Sequence, residues 1–502
     1  MITIDFETYY DKDFSLSKLT TEEYVRDQRF EVIGVSVKVN DAPAEWFSGD
    51  FQQTAIWLRQ FDWENQFVLA HNAMFDAAIL TWHFGIRPKA WLDTLCMARA
   101  VLGVTTGMGL AKLAEHFGLG EKGTEVNDAK GFRRIDFSPE HLAQYGSYCI
   151  NDVELTYKLY HELNTGFPTK EKRLIDLTIR MFSDPVLELD VDRLKLHLND
   201  VQHRKQKLFT DAGITPDVLN SNKKFAELLT SFGVPVPMKI SPTTGKETYA
   251  FAKSDEDFLD LQSWEDDRVQ AIVAARLGAK STLEETRTER FIGIAGRTDN
   301  HLLPIPLKYY AAHTGRWGGS DSVNLQNLPS RGTQGGKLKR CIVAPKGHVI
   351  IDCDSSQIEA RVLAWLAGEE RILQKFANKE DVYKYMASQI YGASEDEIDQ
   401  EQRFIGKTTV LGAGYGMGAV KFQRQLQTMG KHVDIDTCKH IIKQYRYSNQ
   451  YIAQWWNTLT TVLGWMRPSC WRCRPSPGFA CPTACISTTQ TCAVNPTGSI
   501  RT

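Results

Sequence analysis

Asp5 and Glu7 stand two residues apart on a predicted strand that opens with Ile2, so both carboxylates project from one face. They can therefore share a metal ion. A second predicted strand, Phe67 to Ala70, leads into His71-Asn72-Ala73-Met74-Phe75-Asp76, which delivers another acid at the start of a helix. Tyr148 and Asp152 lie four apart in a helical stretch, which puts phenol and carboxylate on the same face. Four acids and a tyrosine from three separated elements suit phosphodiester hydrolysis with two divalent ions, one activating water and the other stabilising the leaving oxygen.

A second constellation lies downstream. His348 to Asp354 predicts a buried strand ending in carboxylates, and Ser355 to Gly368 predicts a helix carrying Gln357, Glu359 and Arg361. Arg403, Lys407, Leu411 and Tyr415 follow at four-residue spacing. Arg403 and Lys407, one turn apart, form a clamp for a polyphosphate whose negative charge grows at the leaving group. An acid at the end of a strand, Asp354, is where a metal bridging an incoming triphosphate would sit, although a helix N-cap is its plain structural role. The glycines around Tyr415 leave that ring apt for stacking on a base.

The elements that must hold these groups divide the chain. The first 165 or so residues alternate strands (Ile2 to Phe6, Phe30 to Val39, Phe67 to Ala70) with helices (Gly109 to Phe117, Pro139 to Leu163), an α/β unit. From Thr169 to about Leu277 the pattern is helical and charged, with Leu187 to Asp190 extended, a helix start at Asn220-Ser221-Asn222 and a turn-rich loop over Ser241 to Lys246. After His301 comes a Gly-rich mixed region, the predicted strand 348–354, and helices to about residue 466. No internal repeat or long low-complexity linker interrupts this order.

The bulk numbers set limits. A chain of 502 residues accommodates about three or four domains. A net charge of -2 leaves nucleic-acid contact to local basic clusters, such as Arg331, Lys337, Lys339, Arg340 and Lys346. That stretch reads equally as a solvated loop. No run is long and apolar enough to span a bilayer, and the strand-like N-terminus is unlike a signal peptide. Scattered Cys96, Cys149, Cys341, Cys353 and Cys438 fit reduced thiols, and the expected location is the cytoplasm.

In this order within one α/β unit, the first constellation resembles the DEDD-type 3′-5′ exonucleases of the tyrosine-bearing subclass, over residues 1–165. The resemblance implies an RNase H-like domain with Asp5, Glu7, Asp76 and Asp152 as ligands of two Mg2+ ions, Mn2+ substituting, and Tyr148 orienting the attacking water. Asp354-Ser355-Ser356-Gln357-Ile358-Glu359-Ala360-Arg361 looks like the first palm motif of family A DNA polymerases, and Arg403 to Gly416 resembles their fingers helix. The motif register selects Asp354 over Asp352 as the catalytic metal ligand. It implies that Gln357, Glu359, Arg403, Lys407, Leu411 and Tyr415 bind the nucleotide, with Glu359 crowding the sugar 2′ position. Leu411 replaces an aromatic residue common in the family, which implies poor use of dideoxynucleotides. Thr314-Gly315-Arg316 and Asn324 to Pro329 match a third block; by resemblance Arg316, Gln326 and Asn327 line the primer-template minor groove, where sequence-indifferent acceptors lie. Asp381-Val382-Tyr383 stands where the fingers begin and receives no chemical role.

The whole reads as an α/β and α+β multidomain protein: exonuclease 1–165, helical linker or thumb 166–300, partial palm and fingers 301–466, and a Cys/Pro-rich tail 467–502. Its partners are a DNA primer-template and deoxynucleoside triphosphates, with a processivity factor left open. After Asp436 the sequence contains no Asp or Glu, so the second palm carboxylate of the family is missing. The tail reads either as an out-of-frame translation or, through Cys470, Cys473, Cys481 and Cys485, as an irregular zinc site. Synthesis is expected to be defective in this chain. The alternatives are a stand-alone exonuclease with a DNA-gripping remnant, or one subunit of a split polymerase.

Overall fold

The computed structural model describes residues 1–465 apart from 105–106, 124–128, 242–243, 253–254, 281–282, 299, 329–335 and 430. The tail cysteines and Arg331 lie outside the described residues. The described chain forms two compact units, Met1–Ile350 and Ile351 onward.

The first unit is built on a five-stranded sheet of order β3-β2-β1-β4-β5, from β1 (Ile2–Thr8), β2 (Val32–Val39), β3 (Glu45–Phe47), β4 (Phe67–Ala70) and β5 (Ala90–Asp93). β1 pairs antiparallel with β2 and parallel with β4, so it sits at the centre, covered on both faces. Its buried residues on both faces match a strand packed between two helical layers. Those layers begin with α1 (Thr21–Val25), α2 (Phe51–Leu58), α3 (Met74–Trp82), α4 (Thr94–Leu102) and α5 (Leu110–Phe117). The long α6 (Pro139–Asn164) starts where Ser138 accepts a hydrogen bond from the His141 amide and Pro139 fills the first turn.

Trp46 fixes α6 over the sheet. A Cβ on Gly146 would stand 2.6 Å from the Trp46 indole, and one on Gly34 would overlap the same ring. The two missing side chains therefore let the indole wedge between β2 and α6. That close approach carries the face of α6 bearing Tyr145, Tyr148, Cys149 and Asp152 onto β1. The hydrophobic core of the sheet continues into α7 (Thr169–Ser183) through Ile175, Ile179 and Phe182.

Beyond α7, β6 (Glu188–Leu189) leads into α8 (Val191–Ala212), α9 (Pro216–Asn220) and α10 (Asn222–Ser231), the last capped by Ser221. The loop predicted over Ser241 to Lys246 joins a hairpin of β7 (Met238–Ile240) and β8 (Glu247–Tyr249). With α11 (Glu256–Asp260) and α12 (Asp267–Lys280) these elements enclose a core of Phe225, Leu229, Phe258 and Val273. Then α13 (Leu283–Ala295) docks on α1, where Arg290 and Arg297 pair with Glu22 and Glu23. Short β9 (Leu307–Lys308) and β10 (Gly318–Gly319) pair with each other, and β11 (Ile342–Val343) pairs with β6.

The second unit is helical: α14 (Ile358–Ala367), α15 (Glu370–Ala377), α16 (Val382–Tyr391), α17 (Gln400–Ala413), α18 (Ala419–Thr428), α19 (Ile435–Ser448) and α20 (Gln450–Trp465). Gly406 lets α16 and α17 touch, because a Cβ there would overlap the Tyr383 carbonyl oxygen and stand 3.0 Å from the Ala387 nitrogen.

Two expectations are corrected here. Residues 348–354 form no strand among the described residues, and Val349 and Ile351 are 81% and 85% exposed. An apolar run becomes a strand only where a neighbour satisfies its amides and carbonyls, and none lies alongside among the described residues. The following helix starts at Ile358 instead of Ser355, because Gln357 takes a left-handed conformation at φ 56°. Gln357, not Asp354, is thus the N-cap residue.

Candidate functional site

The nuclease-type residues converge on β1. Asp5 and Glu7 extend from its centre, and α6 lays Cys149 and Asp152 beside them. Donor atoms of Asp5, Glu7 and Cys149 all lie within 4.8 Å of one another. Asp76 arrives through the turn after β4, where Asn72 is left-handed at φ 69°, and its Oδ1 accepts the Phe6 amide at 3.2 Å. The Tyr148 hydroxyl hydrogen-bonds Asp152.

Three residues of this cluster escaped the sequence reading. Tyr145 donates its hydroxyl to Glu7 Oε2 at 2.5 Å. Its position, three before Tyr148 on one helix, was the available signal. Lys122, from the loop after α5, pairs with Asp152 and places its ammonium 4.8 Å from the centre of the Tyr148 ring. No periodicity announces it. Cys149 sits with its sulfur 3.4 Å from Asp5 Oδ2.

The electrostatics follow from burial. Asp5 is pushed up to about 7, first by desolvation and then by the charge of Asp152, with Lys122 and the Cys149 thiol opposing. Glu7 is held well above the carboxylate range by burial and then by Asp5, against the Tyr145 bond. Asp76 is raised by burial and then by Asp5. Asp5, Glu7 and Asp76, crowded together, resist ionising at once, which is the condition a divalent cation relieves. An all-oxygen carboxylate set suits a hard ion such as Mg2+ or Mn2+. Burial, then Asp152, Glu7 and Asp5, drive Tyr148 far above its ordinary value, so its hydroxyl stays protonated and acts as a donor.

Nearby polar groups are committed elsewhere. His71 bonds Thr94 Oγ1 at 2.8 Å and the Met108 carbonyl at 3.1 Å, and Asp93 caps α4.

In the second unit, Tyr383 organises the other constellation. The Arg403 guanidinium lies 5.6 Å and the Lys407 ammonium 5.8 Å from its ring centre. Gln357 hydrogen-bonds its hydroxyl, and Glu359 acts on it electrostatically. Asp381, which drew no chemical role from the sequence, accepts Arg403 Nε at 2.6 Å and caps α16 through the Tyr383 and Lys384 amides. Leu411 is half-buried on α17. Tyr415 falls past the end of α17 and is 71% exposed, so the four-residue series does not continue on one helix. Asp354 is exposed on the segment that lacks a ladder.

Arg316, Gln326 and Asn327 belong to the first unit. The Gln326 amide donates to the Trp317 carbonyl at 3.1 Å, and the Asn327 carbonyl accepts Arg287 at 2.9 Å. Of the basic stretch, Lys337 pairs with Asp200 at 2.7 Å.

The family model for DNA polymerase family A matches residues 191–470, more than half of the chain. The chain belongs to DNA polymerase family A. A 3′-5′ exonuclease model matches residues 29–167, so an exonuclease domain precedes the family A polymerase domain. Among curated relatives, DNA polymerase I of Pseudomonas aeruginosa is 27% identical over 59% of this chain and 33% of its own length. That of Bacillus subtilis is 29% identical over 67% of this chain and 38% of its own. The DNA polymerase of Bacillus phage SP02 is 23% identical over 91% and 75%. The chain thus spans about a third of the bacterial relatives' length. The fold resembles the solved POL domain of Pol1 from M. smegmatis in complex with DNA primer-template and dNTP, with TM-score 0.62 and 18% identity over 93% of this chain and 75% of that one. No helix among the described residues is long and apolar enough to cross a membrane.

Proposed function

We propose that this family A chain is a proofreading DNA polymerase whose 3′-5′ exonuclease site is Asp5, Glu7, Asp76, Asp152 and Tyr148. The convergence of those four acids on β1 carries the proposal. The carboxylates would hold two Mg2+ ions, with Mn2+ able to replace them, and bound ions would supply Lewis-acid activation of water and neutralise the leaving oxygen. Tyr148 offers a proton donor that orients the attacking water, and its bond to Asp152 fixes its direction. Tyr145 keeps Glu7 ionisable. Lys122 brings a positive charge to a place where a phosphodiester would sit.

For synthesis, the substrates are a DNA primer-template and deoxynucleoside triphosphates, the ligands named for the M. smegmatis structure. Arg403 and Lys407 grip the triphosphate, Gln357 binds the nucleotide, Glu359 crowds the sugar 2′ position, Leu411 bears on its 3′-hydroxyl, and Tyr415 lies near the templating base. Asp354 would hold the catalytic metal, while Arg316, Gln326 and Asn327 follow the minor groove. The domain limits are the exonuclease at 1–165, a helical linker or thumb at 166–300, a partial palm and fingers at 301–466, and the Cys/Pro-rich tail at 467–502.

Release of nucleotides from 3′-labelled single strands, abolished by Asp5→Ala, tests the nuclease half. Primer extension by the same protein tests the synthetic half. The exposed segment around Asp354, which forms no strand among the described residues, favours a second outcome, cleavage without extension, which would leave the nuclease as the working site.

A further inference from the structure

We infer that a cleft on the far face of the five-stranded sheet binds a deoxynucleoside 5′-monophosphate, with the base against Phe51 and the phosphate on Arg134. The cleft has a volume of about 230 Å3 and is lined by Phe30, Val32, Asp50, Phe51, His83 and Arg134 among others. That is below the roughly 300–1,000 Å3 of sites that enclose a drug-sized molecule, so it takes one ring system with a small substituent. It is separate from the acid cluster. Phe6 projects from the face of β1 opposite Asp5 and Glu7, and aromatic rings stack outward from it, Phe84 at 6.0 Å and then Phe51 on Phe84 at 5.3 Å. Phe51, the outermost ring, is 56% exposed, so ring surface remains for a base.

The polar groups of the cleft select an anion that also carries hydrogen-bond donors. Arg133 donates to Glu31 Oε2 at 2.7 Å and lies over the Tyr9 ring, while Glu31 Oε1 accepts the Arg134 amide at 3.2 Å. Both oxygens of Glu31 are thus engaged. The half-buried Arg134 guanidinium has no hydrogen bond or ion pair among the described residues. A planar guanidinium with its donors unused matches a phosphate. His83 supplies an acceptor. Its Nε2 lies 2.8 Å from the Val25 carbonyl oxygen, which can only accept, so Nε2 carries the proton. Burial holds the ring below the ordinary histidine range, and Nδ1 stays bare. Asp50 commits Oδ1 to the Gln53 amide and keeps Oδ2. These are acceptors for the N–H groups that nucleobases carry. The wall is preformed, because Thr54 donates to the Gly49 carbonyl at 3.3 Å, and Phe47 and Gln53 fill the space where a Gly49 Cβ would stand. Cleavage of DNA from its 3′ end would release this class of molecule, but the assignment stands whether or not the cluster on β1 cleaves.

The test is isothermal titration of the full chain with dAMP in EDTA, which keeps divalent ions from the acid cluster. Saturable binding of one dAMP per chain is expected. Arg134→Gln should weaken it roughly tenfold or more, the loss of a charge-assisted hydrogen bond, and Phe51→Ala should weaken it independently. Deoxyadenosine, which lacks the phosphate, should bind wild type as weakly as dAMP binds Arg134→Gln. A short single strand with a 5′-phosphate carries the same groups. If it displaces dAMP the source is a strand end, and if it does not the source is the free nucleotide; either result supports the cleft. No binding of dAMP, or binding that both Arg134→Gln and Phe51→Ala leave unchanged, overturns the inference. Binding lost in Asp5→Asn but kept in Arg134→Gln places the nucleotide in the acid cluster, which overturns the cleft and leaves the nuclease reading intact.

Discussion

Tyr145→Phe isolates one hydrogen bond at the nuclease site. The phenol ring stacks on Phe137 with centres 5.5 Å apart and meets Trp46 edge-on at 6.4 Å, contacts that phenylalanine keeps. Only the hydroxyl donated to Glu7 at 2.5 Å is lost. A hydrogen bond to a charged group contributes about 1.5–3 kcal/mol, and this one favours the ionised carboxylate against burial and the charge of Asp5. Its removal makes Glu7 harder to ionise by that amount, and a cation must supply the difference. Mn2+ affinity should therefore drop roughly 10- to 100-fold at neutral pH. Thermal unfolding in EDTA should change by less than about 1 kcal/mol, because a protonated Glu7 needs no charged partner. Isothermal titration with Mn2+ measures the first quantity and differential scanning calorimetry the second. An Mn2+ affinity within twofold of wild type would refute the role given to Tyr145.

Asp5 sits near 7 in the fold against about 3.9 in an unfolded chain, so the unfolded state ionises first and metal-free protein loses stability as pH rises from about 4 to 7. Asp5→Asn should gain on wild type as pH rises across that range in EDTA, a difference in which the opposing contributions of His71 and His83 cancel. Urea unfolding at several pH values checks this, and a pH-independent difference contradicts it. Asp381→Ala removes the cap of α16 and the partner of Arg403, and should cost the second unit about 1–2 kcal/mol in denaturant unfolding. Any form that extends primers should terminate poorly with dideoxynucleotides, as measured by chain-termination efficiency, because Leu411 presents no aromatic ring to the sugar.

The convergence of the candidate nuclease residues was legible in the sequence because its information is local. Two-residue spacing puts Asp5 and Glu7 on one side of a strand, and four-residue spacing aligns Tyr148 with Asp152, whatever the rest of the chain does. Helix limits followed similarly from Ser138-Pro139 and Ser221, whose side chains or ring geometry act within one turn. Lys122, Tyr145 and Cys149 became site residues only when α6 and the loop after α5 closed over β1. That closure depends on Gly34, Gly146 and Trp46, which are distant in the chain. Asp381 likewise gained its role only because Gly406 lets α17 press Arg403 onto α16. The run 348–354 shows the converse. Its residues favour a strand, but a strand exists only through hydrogen bonds to another, and local sequence does not specify that neighbour.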